Sequence, residues 1–152
     1  MKDSYFQSVV MIERLHRLFL EVVKVELDRL DIRDINNVQC LVLYNIGKGQ
    51  VTVGELTNRG YYLGSNVSYN LRKMVQNAYL IQEPSEHDKR SSHVRLSSKG
   101  LELYNRLDDI LAQHASALDK AEISTDKMKI LGDTLHKLET FWSGLLIREI
   151  RR

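Results

Sequence analysis

The chain has 152 residues, enough for one domain or for one domain with an appended oligomerisation element. Hydrophobic residues make up 43% and charged residues 28%, with one proline and eight glycines, which excludes disordered, collagen-like, linker-rich and Greek-key chains and permits long helices. Against 20 Asp+Glu stand 22 Lys+Arg, a formal charge of +2, so the chain is not a polycation.

Val9, Ile12, Leu15, Phe19, Val22, Val23, Leu27 and Leu30 recur three or four apart and predict one long helix over residues 5–30. Asn36-Asn37-Val38-Gln39 has the form of a capping box. It opens a second helix through Cys40–Tyr44 that Gly47 and Gly49 end. Thr52-Val53-Gly54-Glu55 is a second capping box, for a short helix stopping near Gly60. The turn Tyr61–Gly64 then leads to Ser65 as N-cap of a fourth helix running to about Ala78. Its inward face is Val67, Leu71, Met74 and Val75.

The period changes next. Leu80–Pro84 and His93–Ser97 are short and extended, divided by the polar run 85–92, and predict a β-hairpin with a charged tip. From Ser98 to about Ala121 the helical period returns, with Leu103, Leu107, Ile110, Leu111 and Leu118 on its apolar side. Ser124 is the next N-cap, with Asp126 in the first turn, where the helix dipole favours a carboxylate. The last helix carries Met128, Leu131, Leu135, Leu138, Trp142 and Leu145 at heptad spacing. An internal helix pair would show the same pattern. However, the first and last helices both have long apolar faces that the middle of the chain is too small to cover, which predicts a homodimer.

Charge by segment is more telling than the total. Residues 64–96 carry five basic and three acidic side chains, whereas residues 97–152 carry nine of each and residues 1–31 five and six. Short helix, turn, second helix and hairpin follow one another in the winged helix-turn-helix order, within a mainly α (α+β) fold. A helix of this kind fits the major groove and reads base edges from its N-terminal turns. Ser65, Asn66, Ser68, Tyr69 and Asn70, then Arg72 and Lys73, are the hydrogen-bonding and cationic candidates there. At the hairpin tip, Lys89 and Arg90 could enter a narrow minor groove, with Asp88 orienting Arg90 through a carboxylate–guanidinium pair.

From Asn36-Asn37-Val38-Gln39 through Glu55-Leu56 and Asn66-Val67-Ser68 to Asp88-Lys89-Arg90, Val94-Arg95-Leu96-Ser97 and Lys99-Gly100, the chain resembles the MarR family of bacterial regulators. The resemblance implies a winged lobe over 32–97, with 1–31 and 98–152 forming a dimerisation domain. It also implies a homodimer on a pseudo-palindromic double-stranded operator, with DNA contacts that add Arg95 to the residues above. Such regulators usually repress and are released by a small aromatic or phenolic effector, for which Phe19, Leu43, Tyr44 and Leu107 are the candidate contacts. Ala78 departs from the pattern, standing where the family's recognition helix usually ends in Gly, so that this turn is expected to differ.

The remaining signals are weaker. Cys40 is the only cysteine, so there is no intramolecular disulfide, and its place mid-helix among apolar residues favours core packing over a redox role. The five histidines form no metal-ligand spacing, and no cofactor or metal is expected. Gly47-Lys48-Gly49 lacks the frame of a phosphate loop. Asp108-Asp109 is the only adjacent carboxylate pair, and on a helix such neighbours diverge by about 100°, so an enzyme is not expected. No apolar run approaches the roughly 20 residues that span a bilayer, and Asp3, Glu13 and Arg14 interrupt the first twenty, which predicts a cytoplasmic protein without membrane contact. The alternative to a DNA regulator is a winged-helix module that docks a protein partner through its heptad face.

Overall fold

The computed structural model describes residues 1–58, 64–86 and 91–150. It divides into two compact units, Met1–Leu107 and Asp108–Arg152.

In the first unit, α1 (Lys2–Arg29) buries only its C-terminal end, through Val23 and Leu27, and leaves Phe6, Met11, Leu15, Leu18, Phe19 and Val25 exposed. Its end is a left-handed turn at Asp31, φ 55°, closed by Ile32 N–H to Leu27 O at 3.0 Å and Asp31 N–H to Asp28 O at 3.1 Å. The expected capping box then opens α2 (Asn37–Ile46). Asn36 Oδ1 accepts from Gln39 N–H at 2.8 Å, and Gln39 Oε1 accepts from Asn36 N–H at 3.1 Å. Asn37 Nδ2 donates to Leu20 O at 3.1 Å and fixes this helix start against α1. Gly47 closes α2 at φ 67°, as its position in the sequence predicts.

A strand that the sequence pattern did not predict follows, β1 (Gln50–Thr52), at three residues too short to show alternation. Thr52 Oγ1 then accepts from Glu55 N–H at 3.0 Å and starts α3 (Val53–Asn58). Next come α4 (Gly64–Gln76), β2 (Leu80–Pro84) and β3 (Ser92–Leu96). The sheet is antiparallel in the order β1-β3-β2, with Val51 facing Val94 and Leu80 facing Leu96. Val94 is wholly buried in this central strand and packs in one core with Cys40, Leu43, Met74 and Leu103.

Several boundaries differ from the sequence reading. Because α4 begins at Gly64, Ser65 lies in its first turn instead of capping it. That helix also ends at Gln76, two residues early, because the chain turns left-handed at Ala78, φ 64°. Strand β3 stops at Leu96, since Ser97 is the cap of α5 (Ser98–Ala117), its Oγ accepting from Gly100 N–H at 3.1 Å. Beyond Ala117 the helix tightens to a 3-10 turn, Leu118–Ala121, ended by Glu122 at φ 61°.

Within the second unit, Ser124 caps α6 (Thr125–Ile150), accepting from Lys127 N–H at 3.2 Å. Met128, Leu131, Leu135 and Leu145 of the heptad seam remain exposed, as do Ile130, Phe141, Leu146 and Ile147. None of the helices described is long and apolar enough to cross a membrane.

Candidate nucleic-acid interface

The amphipathic helix α4 sets the geometry of the site. Val67, Leu71 and Met74, at 3%, 3% and 1% exposure, anchor it in the core at a spacing of four and three. The opposite face therefore points outward, and Asn66, Ser68, Tyr69, Arg72 and Lys73 are exposed there. Lys73 Nζ stands 6.0 Å from the centre of the Tyr69 ring, at the outer reach of a cation–π contact. Asn70 is different. It is half-buried on the flank of α4, where its Oδ1 accepts from Gln39 Nε2 at 3.2 Å.

Arg95 projects from β3, but its charge is already compensated. Its Nη2 lies 3.1 Å from Glu83 Oε1, across the β2–β3 pair, and the other Glu83 oxygen is 3.8 Å from His93 Nε2. The side chain of Ser65 and the tip residues Asp88, Lys89 and Arg90 lie outside the described residues. Backbone pairing below that tip continues to Ser85 N–H on Ser91 O at 3.0 Å.

The four candidate effector contacts do not share one environment. Leu43 and Leu107 are buried in the core, at 0% and 7% exposure, with Tyr44 packed against it. Tyr44 stacks on Tyr104, ring centres 5.0 Å apart and planes 18° from parallel. Phe19 lies on the exposed part of α1. Cys40 is fully buried, and burial pushes its thiol up to about 12.

A polar clasp behind α4 escaped the sequence reading. Asp34, in the loop before α2, accepts from Tyr79 Oη and from Lys99 Nζ, the latter at 2.6 Å. Lys99 Nζ also donates to Asn77 O at 2.8 Å and lies 4.3 Å from the Tyr79 ring centre, while Asn77 Nδ2 donates to Asp34 O. Burial alone would raise the Asp34 carboxyl, but the hydrogen bonds from Lys99 and Tyr79 and the Lys99 charge outweigh it, so it lies below the usual carboxylate value. Tyr79 is raised by its burial and by the Asp34 carboxylate. The sequence did carry one trace of this arrangement, Lys99-Gly100. A Cβ on Gly100 would sit 2.2 Å from Tyr79 O, so only glycine lets α5 start against that turn.

A short helix, a second helix with an exposed polar face and a three-stranded sheet behind them define a winged helix-turn-helix protein. Comparisons with known proteins agree. The model of the MarR family matches residues 33–91. The chain is 36% identical over 141 residues to the exopolysaccharide II synthesis transcriptional activator ExpG of Rhizobium meliloti, covering 93% of this chain and 73% of that protein. FabT of Streptococcus pneumoniae, solved in complex with DNA, superposes with a TM-score of 0.70 at 21% identity, over 93% of this chain and 99% of that one. MarR of Staphylococcus aureus, solved with salicylate and kanamycin, gives 0.72 at 24% identity, over 94% and 93%. The chain belongs to the MarR family, whose members are DNA-binding transcription regulators and not enzymes.

Proposed function

We propose that the chain acts as a homodimer that reads a pseudo-palindromic operator through two copies of α4, set in successive major grooves ~34 Å apart. The observation that carries this reading is the division of α4 between the buried Val67, Leu71 and Met74 and the exposed Asn66, Ser68, Tyr69, Arg72 and Lys73. Groove-facing side chains that are small, polar or cationic can hydrogen-bond base edges and phosphates, and the anchored face keeps them in register. Arg90, flanked by Lys89 and oriented by Asp88, would add a minor-groove contact from the hairpin tip.

Dimerisation through residues 1–31 and 98–152 is supported by the exposed apolar faces of α1 and α6. Leaving such stripes in water costs ~25 cal/mol per Å², and a second copy removes them from it. A small aromatic or phenolic effector that releases DNA is supported by the family and by the salicylate complex of the Staphylococcus neighbour. The protein would work in the cytoplasm, where its operator is.

The sign of regulation divides two readings. Repression is what the family resemblance implies. Activation is favoured by the Rhizobium relative, which is named as a transcriptional activator. A reporter fused to the protein's own upstream region, assayed with and without the protein, separates them.

A gel-shift titration of that region at two salt concentrations tests the central reading. Tight binding that survives competitor DNA is expected, and Arg90→Ala should weaken every sequence and lower the salt slope by about one. No binding at either salt concentration overturns it. A sedimentation mass of one chain would overturn the dimer.

A further inference from the structure

Gln39 is the one buried polar side chain among the described residues, 6% exposed, and its orientation follows from a group whose polarity is not in question. The backbone N–H of Asn36 can only donate. It lies 3.1 Å from the Gln39 side chain, so the atom facing it is the oxygen Oε1. The Gln39 NH2 group must then face α4, where it donates to Asn70 at 3.2 Å. A donor requires an acceptor opposite, so the inward atom of Asn70 is Oδ1 and the outward one is Nδ2. Among the described residues no partner engages that NH2 group. Asn70 is only half-buried, and Asn66 and Lys73 stand four residues before and three after it on the same side of the helix.

Asparagine selects adenine by accepting from N6 while donating to N7, which needs both ends of the amide. Here one end is taken inside the protein. We propose that Asn70 meets DNA as a donor only, hydrogen-bonding an acceptor and never reading adenine through the two-bond contact. On a base edge the matching acceptors are N7 of either purine, guanine O6 or thymine O4; on the backbone the acceptor is a phosphate oxygen. Gln39 is the positioning residue that sets this polarity from inside the fold. The inference rests on the DNA-binding reading of α4.

Inverting the polarity tests it. Gln39→Glu keeps the capping box, because one carboxylate oxygen still accepts from Asn36 N–H, but the other can only accept, so Asn70 must turn its NH2 inward and show Oδ1. Asn70→Asp does the same from the other side and stands in if the first variant folds poorly. The full chain, its variants and the double variant Gln39→Glu/Asn70→Ala are taken through selection from a randomised operator library, then titrated on the selected sites.

For a base contact, Asn70→Ala loses preference for an acceptor-bearing base (guanine, thymine, or either purine through N7) at one position per half-site, about 5- to 150-fold, and Gln39→Glu moves that preference to the donors adenine N6 or cytosine N4. For a phosphate contact, both variants weaken all sequences alike. In either case the double variant is no worse than Asn70→Ala, because the introduced carboxylate acts through Asn70. Selection of adenine over guanine by the unmodified chain at the position that Asn70→Ala loosens, unmoved by Gln39→Glu, overturns the proposal, because a donor held by Gln39 has no reason to favour adenine N7 over guanine N7 and O6. So does an Asn70→Ala variant with unchanged affinity and preference, or a double variant whose losses add. An unmodified chain that selects no sequence fails at an earlier step and overturns the DNA-binding reading itself.

Discussion

Lys99 Nζ lies 2.6 Å from Asp34 Oδ2 and 2.8 Å from the carbonyl oxygen of Asn77, so one ammonium joins the loop before α2, the turn after α4 and the start of α5. Both charged groups are nearly half exposed, which screens the pair, and an ion pair of this kind contributes ~0–1 kcal/mol. The hydrogen bond that the Asp34 carboxylate also takes from Tyr79 brings Asp34→Ala to a loss of about 1–2 kcal/mol, while the Asn77 bond to the Asp34 carbonyl is kept. Urea denaturation checks this, and Lys99→Met should cost less, because Tyr79 keeps its acceptor.

The same clasp sets a pH dependence. Asp34 titrates below its ordinary value of 3.8 in the folded chain, so its contribution is complete above that value and is lost as pH falls through the lower, folded value. Tyr79 is shifted upward, so its contribution is present below its ordinary value of 10.0 and is lost as pH rises beyond it. Melting curves of Asp34→Asn should be flatter than the parent's at the acid end, and those of Tyr79→Phe flatter above pH 10. Parallel curves would remove the clasp from the stability of the fold.

Ala78 adopts φ 64°, a conformation that costs a residue with a Cβ ~1–2 kcal/mol. Tyr79 N–H reaches back to Met74 O at 2.9 Å and Ala78 N–H to Val75 O at 3.0 Å, the bonding that a glycine-ended helix shows. The turn therefore does not differ from the glycine form, and the strain is accepted in place. Ala78→Gly should raise the melting temperature by about 2–4 °C, after the entropy of the unfolded glycine is allowed for.

Gly100 is the converse case. A methyl group placed 2.2 Å from Tyr79 O and 3.2 Å from its carbonyl carbon meets backbone, which cannot swing aside. Gly100→Ala should destabilise by about 1–3 kcal/mol and lower operator affinity at temperatures where the chain is still folded, since the turn behind α4 has to shift. Thermal melts with binding measured at a low temperature separate the two effects.

Arg95 and Arg72 are both exposed arginines, yet among the described residues only Arg95 has a carboxylate 3.1 Å away. Arg72→Ala should reduce the salt slope of DNA binding by about one, and Arg95→Ala by clearly less, because binding there has to displace Glu83. Glu83→Gln should restore the Arg95 contribution. Equal slopes for the two alanine variants would show that the Glu83 pair breaks at no cost.

Periodicity made the long elements legible. Both ends of α1 and α6 fall within a few residues of the apolar repeat, and the capping box at Asn36 names the first residue of α2 correctly, because cap and period are local properties of the chain. Strand β1 was not legible, since three residues carry no period and its existence depends on β3 as a neighbour. The outward face of α4 could be read from composition, but the roles within it could not. Asn70 looks equivalent to Asn66 in sequence and is distinguished only by Gln39, 31 residues earlier. Asp34 and Lys99, 65 residues apart, likewise meet only through the fold.

Gly100 seats the first turn of α5 directly on the carbonyl of Tyr79, and Ser97 Oγ donates to Ala78 O while Ser97 N–H donates to Tyr79 O at 3.0 Å. No side chain separates the two pieces of backbone, which meet in direct contact. A shift at the start of α5 would therefore press directly on the turn that ends α4. The missing methyl group is thus what couples the two helices, as a bearing without clearance couples shaft and housing.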